Sequence, residues 1–252
     1  MSQPPSNQPR AEFIAAVDHV IRDRRTLKVM RDPNECQDLT ADVAADLYAA
    51  VRDSIEVAGW APFHKPAHKD AHLGQGLSSV VPWRFYVLEK PVCCALLARL
   101  KSLAQAQPDT KWSRAWESKI PRILSGSGAV VLATWLPDPS PTGGAPELSE
   151  NNQEHIAAAS AAVQNLLLAA EARGLRTYWA TGGILKDTEV FGWLGIPTNQ
   201  ILLGAIFLTP TELPHDALET GSWREKRGAP SNWSVWIEPG QLAQSAAQSA
   251  AD

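Results

Sequence analysis

Three cations and one hydroxyl group stand within five residues near the start of the chain, at Arg24, Arg25, Thr26 and Lys28. Guanidinium and ammonium groups form charge-assisted hydrogen bonds to phosphate oxygens, and a guanidinium fork can bind two oxygens at once. The segment follows residues 11–23, whose apolar side chains recur with helical spacing. Taken alone, the segment predicts either a phosphate site or a solvated basic helix end.

A second candidate segment is Thr181-Gly182-Gly183, where a backbone without Cβ atoms can lie close against a flat ligand. It follows a helix predicted between a capping box at Asn151 and a left-handed residue at Gly174. The residues just before the turn are β-branched or aromatic and predict a short strand. Without further information, a core helix followed by an ordinary glycine turn is the simpler interpretation.

Helices and strands in mixed order are predicted to hold these groups in place. Helices are predicted over residues 11–23, 40–59, 91–107, 109–124, 151–174 and 187–194. Strands are predicted over residues 85–89, 128–136, 177–180 and 200–208. The second and fourth of these strands are continuously apolar, which is typical of strands buried on both faces of a sheet.

Composition and charge exclude several classes of protein. The 252 residues carry a net charge of −4, which gives no electrostatic basis for binding nucleic acid or an anionic membrane. No apolar run approaches the roughly 20 residues needed to cross a bilayer. Three cysteines, of which Cys93 and Cys94 are adjacent, predict neither a disulfide framework nor a metal site. We therefore expect a cytoplasmic protein in which Cys93 and Cys94 pack as small apolar groups.

Several short motifs resemble those of the nitroreductase-like flavoproteins and occur in the same order. Residues 161–183 are similar to the core-helix pattern of that family, with QNLLLAA at 164–170, then GL, a tryptophan and GG. The segment RRTLK at 24–28 is similar to the family's RRS-x-R, which holds the FMN phosphate. Further similar motifs are APFH at 61–64, PWRF at 82–85 and LGIP at 194–197.

The resemblance implies an FMN site without a catalytic side chain, because the flavin N5 position carries the chemistry. The phosphate would lie on Arg24, Arg25, Thr26 and Lys28, with Lys226 and Arg227 returning to it from the C-terminal region. The flavin ring would contact His64, Pro82, Trp83, Arg84, Thr181, Gly182 and Gly183. The Asn and Gln that commonly precede PW in the family are replaced by residues 79–81, SVV, so their hydrogen bonds to the ring must come from elsewhere.

The resemblance also implies a fold, an assembly and an activity. The fold would be α+β, with a mixed and mostly antiparallel sheet flanked by helices, in one domain over residues 11–240 of an intertwined homodimer. Residues 1–10 and 241–252 are expected to be disordered tails. Bound FMN would take hydride from NAD(P)H and pass it to a small electron-poor acceptor of the nitro, quinone or enal type, by a ping-pong mechanism.

Two alternatives remain open. A flavin-binding protein of the same fold could store or cleave FMN rather than act as a reductase, which the loss of the Asn and Gln before Pro82 favours. A metal- or partner-binding scaffold could use residues 65–79, an insertion in which His68 and His72 continue a four-residue spacing from His64. Pro66 argues against the continuous helix that this spacing needs, so we expect a mobile polar lid here and no metal site.

Overall fold

The computed structural model of the protein describes residues 10–67, 79–140, 144–212 and 218–237. The chain divides into two compact units between Thr220 and Gly221. Within the described residues, the first unit holds the α-helices and β-strands, and the second holds two short 3-10 turns. The single domain expected over residues 11–240 stays a prediction. The expected tails lie outside the described residues, apart from Arg10, where the first helix begins.

Helices and strands alternate irregularly along the first unit. The helices are α1 (Arg10–Asp23), α2 (Ala41–Ala58), α3 (Lys90–Ala106), α4 (Lys111–Glu117), α5 (Lys119–Gly126), α6 (Glu150–Glu171) and α7 (Thr188–Leu194). The strands are β1 (Leu27–Val29), β2 (Trp83–Glu89), β3 (Ala129–Trp135), β4 (Leu175–Ala180), β5 (Ile201–Pro210) and β6 (Leu218–Thr220). The short strands β1 and β6 were not predicted from the sequence.

A four-stranded sheet with the order β2-β3-β5-β4 lies at the centre of the first unit, and its neighbouring strands are all antiparallel. All seven residues of β3 are buried, as its continuous apolar sequence predicts. The strands β1 and β6 form a separate antiparallel pair. Thr26, just before β1, makes a parallel bridge to Thr177 of β4. The basic segment is therefore placed beside a strand of the main sheet.

Helices cover both faces of this sheet. Alternate residues of β3 point to opposite faces, so Val130 and Leu132 pack with residues of α3, α4, α5 and α7, whereas Val131 packs with residues of α2 and α6. Long side chains such as Leu100 on one face and Leu166 on the other are fully buried. The predicted α+β fold, a mostly antiparallel sheet flanked by helices, is thereby confirmed.

The prediction of one helix over residues 109–124 is wrong, because the segment forms α4 and α5. Ser118 separates them with an extended backbone (φ −73°, ψ 172°), and its hydroxyl accepts a hydrogen bond from the Ile120 N–H. Pro121 follows in the first turn of α5, where a missing N–H is tolerated. The same proline in the interior of one long helix would have removed a hydrogen bond and clashed with the preceding turn.

The predicted capping box at Asn151 is also wrong. The helix α6 begins earlier, and Ser149 is its N-cap, with the Ser149 hydroxyl accepting from the Asn152 N–H at 3.3 Å. The Asn152 side chain instead binds the preceding loop, because its amide oxygen accepts from the Asp138 N–H at 2.8 Å. Gly174 does have the predicted left-handed backbone (φ +69°), three residues after the helix ends.

The expectation that the cysteines form no disulfide is wrong, because Cys36 and Cys94 are joined, with their Cα atoms 5.5 Å apart. Neighbouring residues on a helix point about 100° apart, so Cys93 faces the core while Cys94 faces the chain before α2. Cys93 is the buried free thiol that the sequence predicted, and burial raises its pKa to about 12. A separation of 58 residues along the chain gave no sign that Cys36 and Cys94 meet.

Candidate functional site

The basic segment lies where α1 ends and β1 begins. Arg24 is half-buried and Arg25 is exposed, while Thr26 is held beside β4 by its bridge to Thr177. The Lys28 ammonium lies 3.8 Å from a carboxylate oxygen of Glu219 and 5.3 Å from the centre of the Tyr178 ring. Lys28 thus forms a weak ion pair with Glu219. The side chain of Arg25 is exposed and is available to an anion.

The glycine turn follows β4 and has a backbone conformation that favours glycine. Gly182 and Gly183 both have positive φ angles, +96° and +54°, which residues with a Cβ rarely adopt. A Cβ on Gly182 would lie 2.4 Å from the Leu202 side chain, and one on Gly183 would lie 3.0 Å from that of Ile120. Gly182 is buried and Gly183 is exposed. The turn therefore requires glycine for its own packing and also presents bare backbone to solvent at Gly183.

The segment before β2 is held together by Arg84. Its guanidinium donates to the backbone carbonyls of Ser79 at 2.8 Å, Val81 at 2.7 Å and Trp83 at 2.7 Å. The residue is only 6 % exposed, and burial lowers the pKa of Arg84. The structure thus places this predicted flavin contact inside the protein, where it fixes the conformation of the SVVPW segment.

The two halves of the APFH and PWRF signature meet in space. Phe63 packs edge-on against Trp83, with ring centres 5.8 Å apart, and the Ala67 N–H donates to the Val80 carbonyl. His64 is exposed next to Phe63, so it lies on the solvent side of this contact. Pro82 and Trp83 are buried, and the Pro82 carbonyl accepts from the N–H of Leu136.

The sheet brings the glycine turn and the PW segment to the same end. Trp83 pairs with Trp135, Trp135 pairs with Ile201, and Gly182 packs over Leu202, the next residue of β5. The strands β2 and β4 are three strand spacings apart, or about 14 Å. Thr177, beside the basic segment, precedes Gly182 by five residues, which is at most about 16 Å along the strand. These separations are on the scale of one nucleotide-sized ligand.

A buried hydrogen-bond cluster beneath this end of the sheet was not predicted. The Gln200 side-chain oxygen accepts from the Thr134 hydroxyl at 2.6 Å and from the Tyr86 hydroxyl at 3.0 Å. These groups come from β2, β3 and the residue before β5, next to the irregularity between Ala133 and Thr134. Burial raises the pKa of Tyr86, which keeps it a donor. Single polar residues in otherwise apolar strands were the only sequence signal for the cluster.

His155 is a second buried polar residue that the sequence analysis missed. It is 1 % exposed, and its Nδ1 lies 2.9 Å from the Leu136 carbonyl, so this nitrogen carries the proton. Leu136 in turn donates to Pro82, which connects α6 to the PW segment through one residue. The Nε2 atom of His155 is buried, and within the described residues nothing bonds to it.

An open hollow of about 600 Å³ lies beside the glycine turn. Its lining includes Gly183, Ser118 and three basic residues, Lys111, Arg114 and Lys186. The Lys111 ammonium is bound by Asp187 at 3.0 Å and by Glu189 at 2.6 Å, and these bonds raise its pKa. The hollow has the volume of a small-molecule site and a mixed-charge rim.

Several predicted residues are not brought into this arrangement. Lys226 and Arg227 belong to the second unit, where the Lys226 ammonium lies 4.6 Å from the Trp223 ring centre. Their return to a phosphate stays a prediction. His68, His72 and the other residues of the expected polar lid from 68 to 78 lie outside the described residues. Across the parts of the chain that the structure describes, no three His, Cys, Asp or Glu residues are grouped so that they could hold a metal ion. Nor does any described helix have both the length and the apolar character needed to cross a membrane.

Known proteins with a similar sequence or a similar fold include proteins of the nitroreductase type. The sequence model of the Nitroreductase family matches residues 39–208. The structure is similar to a nitroreductase-like family protein from Bacillus cereus, with a TM-score of 0.58, 19 % identity, and coverage of 94 % of this chain and 99 % of the other. It is also similar to a nitroreductase with bound FMN from Bacteroides fragilis, with a TM-score of 0.52, 19 % identity, and coverage of 88 % and 98 %. At this identity both likenesses show a shared fold. A comparison with curated proteins finds no match.

Proposed function

The chain belongs to the nitroreductase family, and we propose that it is an FMN-dependent oxidoreductase that passes hydride from NAD(P)H to a small electron-poor acceptor. The observation that carries this proposal is the placement of three segments around the sheet, two at one end and the third beside β4. They are the basic segment 24–28 beside β4, the glycine turn after β4, and the PW segment before β2. The FMN bound in the similar Bacteroides fragilis structure supports the same cofactor for this chain.

The residues of the site suit the two ends of FMN. A phosphate dianion needs cations, and Arg24, Arg25 and Lys28 provide three charges with the Thr26 hydroxyl beside them. A flat ring needs backbone without side chains, and the exposed Gly183 provides it after the buried Gly182. Trp83 and Phe63, whose rings pack edge-on, form an apolar wall three strand spacings from the glycine turn. When bound, FMN supplies the hydride-accepting and hydride-donating N5 position.

The protein's own contribution is therefore position and charge. Arg84 fixes the SVVPW segment by binding three backbone carbonyls, and His155 fixes Leu136, which holds Pro82. Arg24, Arg25 and Lys28 would neutralise the phosphate. His64, which is exposed and follows Phe63 in the chain, would contact the rim of the ring or the acceptor.

We propose a homodimer as the working assembly. The apolar face of α1 is exposed, with Phe13 56 % and Val17 56 % accessible to solvent. Ile14 and Ile21 extend the same stripe, and Trp60, after α2, is also exposed. An apolar stripe of this length on a soluble protein is typical of an interface. A second copy of this chain is the partner that the family resemblance favours, and the cytoplasm is the compartment that we propose.

One observation favours the alternative, a flavin protein that stores or cleaves FMN. Residues 79–81 offer no side-chain amide to the ring, and Arg84 is committed to backbone carbonyls. Steady-state kinetics separate the two functions. A reductase gives FMN-dependent NADPH or NADH oxidation with menadione or a nitroarene, and double-reciprocal plots at several acceptor concentrations give parallel lines. Protein that holds FMN stoichiometrically but oxidises neither nucleotide with any of these acceptors would support storage or cleavage instead.

A further inference from the structure

Residues 30–40 connect β1 to α2 and form an exposed segment around a short 3-10 turn. Within the turn the hydrogen bonds are local, because the Asn34 and Glu35 N–H groups both donate to Asp32. Seven of the ten residues from Arg31 to Thr40 are exposed. The segment thus has little burial of its own to hold it against the rest of the first unit.

The two ends of this segment are anchored differently from its middle. Near its start, the Arg31 N–H donates to the Arg122 carbonyl at 3.0 Å, and the Ser125 hydroxyl donates to the Asp32 carbonyl at 2.7 Å. Leu39, near its end, packs against the core on the α2 and α6 face. Between these anchors, the covalent bond from Cys36 to Cys94 fastens the segment to α3.

The fastened segment borders a buried cation. Lys90 precedes Cys94 by four residues on α3, so both side chains lie on the same side of the helix. Lys90 is 4 % exposed, and its ammonium donates to the carbonyls of Ser125 at 2.6 Å and Ser127 at 3.0 Å. Lys90 and residues 35 and 37–40 line the same cavity of about 230 Å³. Moving the segment away would open this cavity and expose Lys90.

The disulfide is accessible, whereas the third cysteine is not. Cys36 and Cys94 are both partly exposed, so a small or protein dithiol can reach the bond. Cys93 is buried with its thiol directed at the Leu88 carbonyl, and burial raises its pKa to about 12. Because only a thiolate attacks a disulfide, Cys93 is inert toward its neighbour. The cysteines therefore have two defined states, one bonded and one reduced.

We propose that Cys36 and Cys94 form a redox latch that holds the middle of residues 31–40 over Lys90 when oxidised and releases it when reduced. A dithiol is the reductant: its thiolate attacks one sulfur to give a mixed disulfide, and its second thiol displaces that sulfur. The reductant leaves as a disulfide, and the chain gains two electrons and two protons as thiols on Cys36 and Cys94. Partly exposed disulfides of this kind are the labile ones in a reducing compartment.

Hydrogen–deuterium exchange and amine labelling of the purified full-length protein test the latch. After treatment with dithiothreitol, both thiols should alkylate, and amide exchange in residues 31–40 should become at least about tenfold faster. Acetylation of Lys90 should rise several-fold under the same conditions, while the circular dichroism spectrum stays unchanged. An unchanged exchange rate and unchanged Lys90 labelling in the fully reduced protein would overturn the proposal. So would a bond that is reduced only when the whole protein unfolds.

Matched variants separate the latch from general destabilisation. Cys36→Ser should show fast exchange and Lys90 labelling with or without dithiothreitol, whereas Cys93→Ser should switch as the wild type does. If Cys36→Ser fails to fold, Cys94→Ser and the reduced wild type give the same comparison. Switching that is lost in Cys93→Ser would contradict the assignment of the redox pair. These readouts need no flavin and no activity, so they are independent of the proposed function.

Discussion

The arginines of the predicted motifs divide into those that hold the protein's own backbone in place and those that are exposed to solvent. Arg84 belongs to the first kind, because its guanidinium is bound by three carbonyls of its own segment. Arg25 belongs to the second, because its side chain is exposed beside the start of β1. A motif in the sequence does not distinguish these uses, since both need an arginine at a fixed position. The distinction rests on what each guanidinium contacts.

At the residue scale, the proposed phosphate site predicts that removing two guanidinium groups strongly weakens FMN binding. Arg24→Ala combined with Arg25→Ala should weaken FMN binding by about 2 to 5 kcal/mol, from about 1.5 to 3 kcal/mol per charged hydrogen bond with a discount for overlap. Fluorescence titration of FMN measures the change. Arg52→Ala, an exposed arginine on α2, is the matched control and should bind as the wild type. A double variant that binds FMN with wild-type affinity would show that the phosphate does not bind to this segment.

The glycine turn gives a second prediction at this scale. Gly182→Ala should destabilise the folded protein by about 1 to 3 kcal/mol, because its φ of +96° is strained for alanine. The added Cβ would also lie 2.4 Å from Leu202. In contrast, Gly192→Ala within α7 meets nothing within 4 Å and should be neutral or slightly stabilising. Denaturant unfolding of the two variants makes the comparison, and equal effects would show that the turn tolerates a side chain.

At the scale of elements, Gln200 links three strands below the site. Gln200→Ala removes the acceptor of the Thr134 and Tyr86 hydroxyls and should cost about 1 to 3 kcal/mol of unfolding free energy, since buried donors lose their partner. Tyr86→Phe should cost less, because it removes a donor and leaves Thr134 bonded. The double variant should cost less than the sum of the two. Additive costs would mean that the two residues act independently.

The helices and strands differ in how well their bounds could be predicted from the sequence. The buried strands β3 and β5 and the helix α6 were predicted to within three residues at each end, because continuous apolar runs and helical periodicity are local signals. The strands β1 and β6, three residues each, were missed, since their pairing is with each other across about 190 residues of chain. The split between α4 and α5 was missed although Pro121 signalled it.

The candidate site was predictable only where its residues form motifs. The basic segment, the glycine turn and the PW segment were all selected from the sequence, and the sheet brings the last two to one end. The Cys36–Cys94 bond and the Gln200 cluster depend on contacts between residues far apart in the chain, which neither spacing nor composition reveals. Arg84 was selected from the sequence as a flavin contact, which stays a prediction, and its bonds to backbone carbonyls could not be seen in the sequence.

At the scale of the whole molecule, the exposed face of α1 predicts self-association. Phe13→Glu combined with Val17→Glu should convert the proposed homodimer to a monomer, because each chain would bring two charges to an apolar interface. Light scattering coupled to size-exclusion chromatography measures the mass. His19→Gln, which lies off the apolar stripe on the same helix, should leave the mass unchanged. A wild-type protein that is monomeric at micromolar concentration would refute the proposed assembly.

The proposed function requires that this fold hold FMN in a form that a nicotinamide nucleotide can reduce. The visible absorption spectrum of the purified protein, reconstituted with FMN and recorded before and after anaerobic addition of NADPH or NADH, tests it most directly. Oxidised-flavin bands at one FMN per chain are expected, and they should bleach on addition of at least one nucleotide. A protein that binds no FMN after reconstitution, or whose bound flavin keeps its oxidised spectrum with both nucleotides, would contradict it.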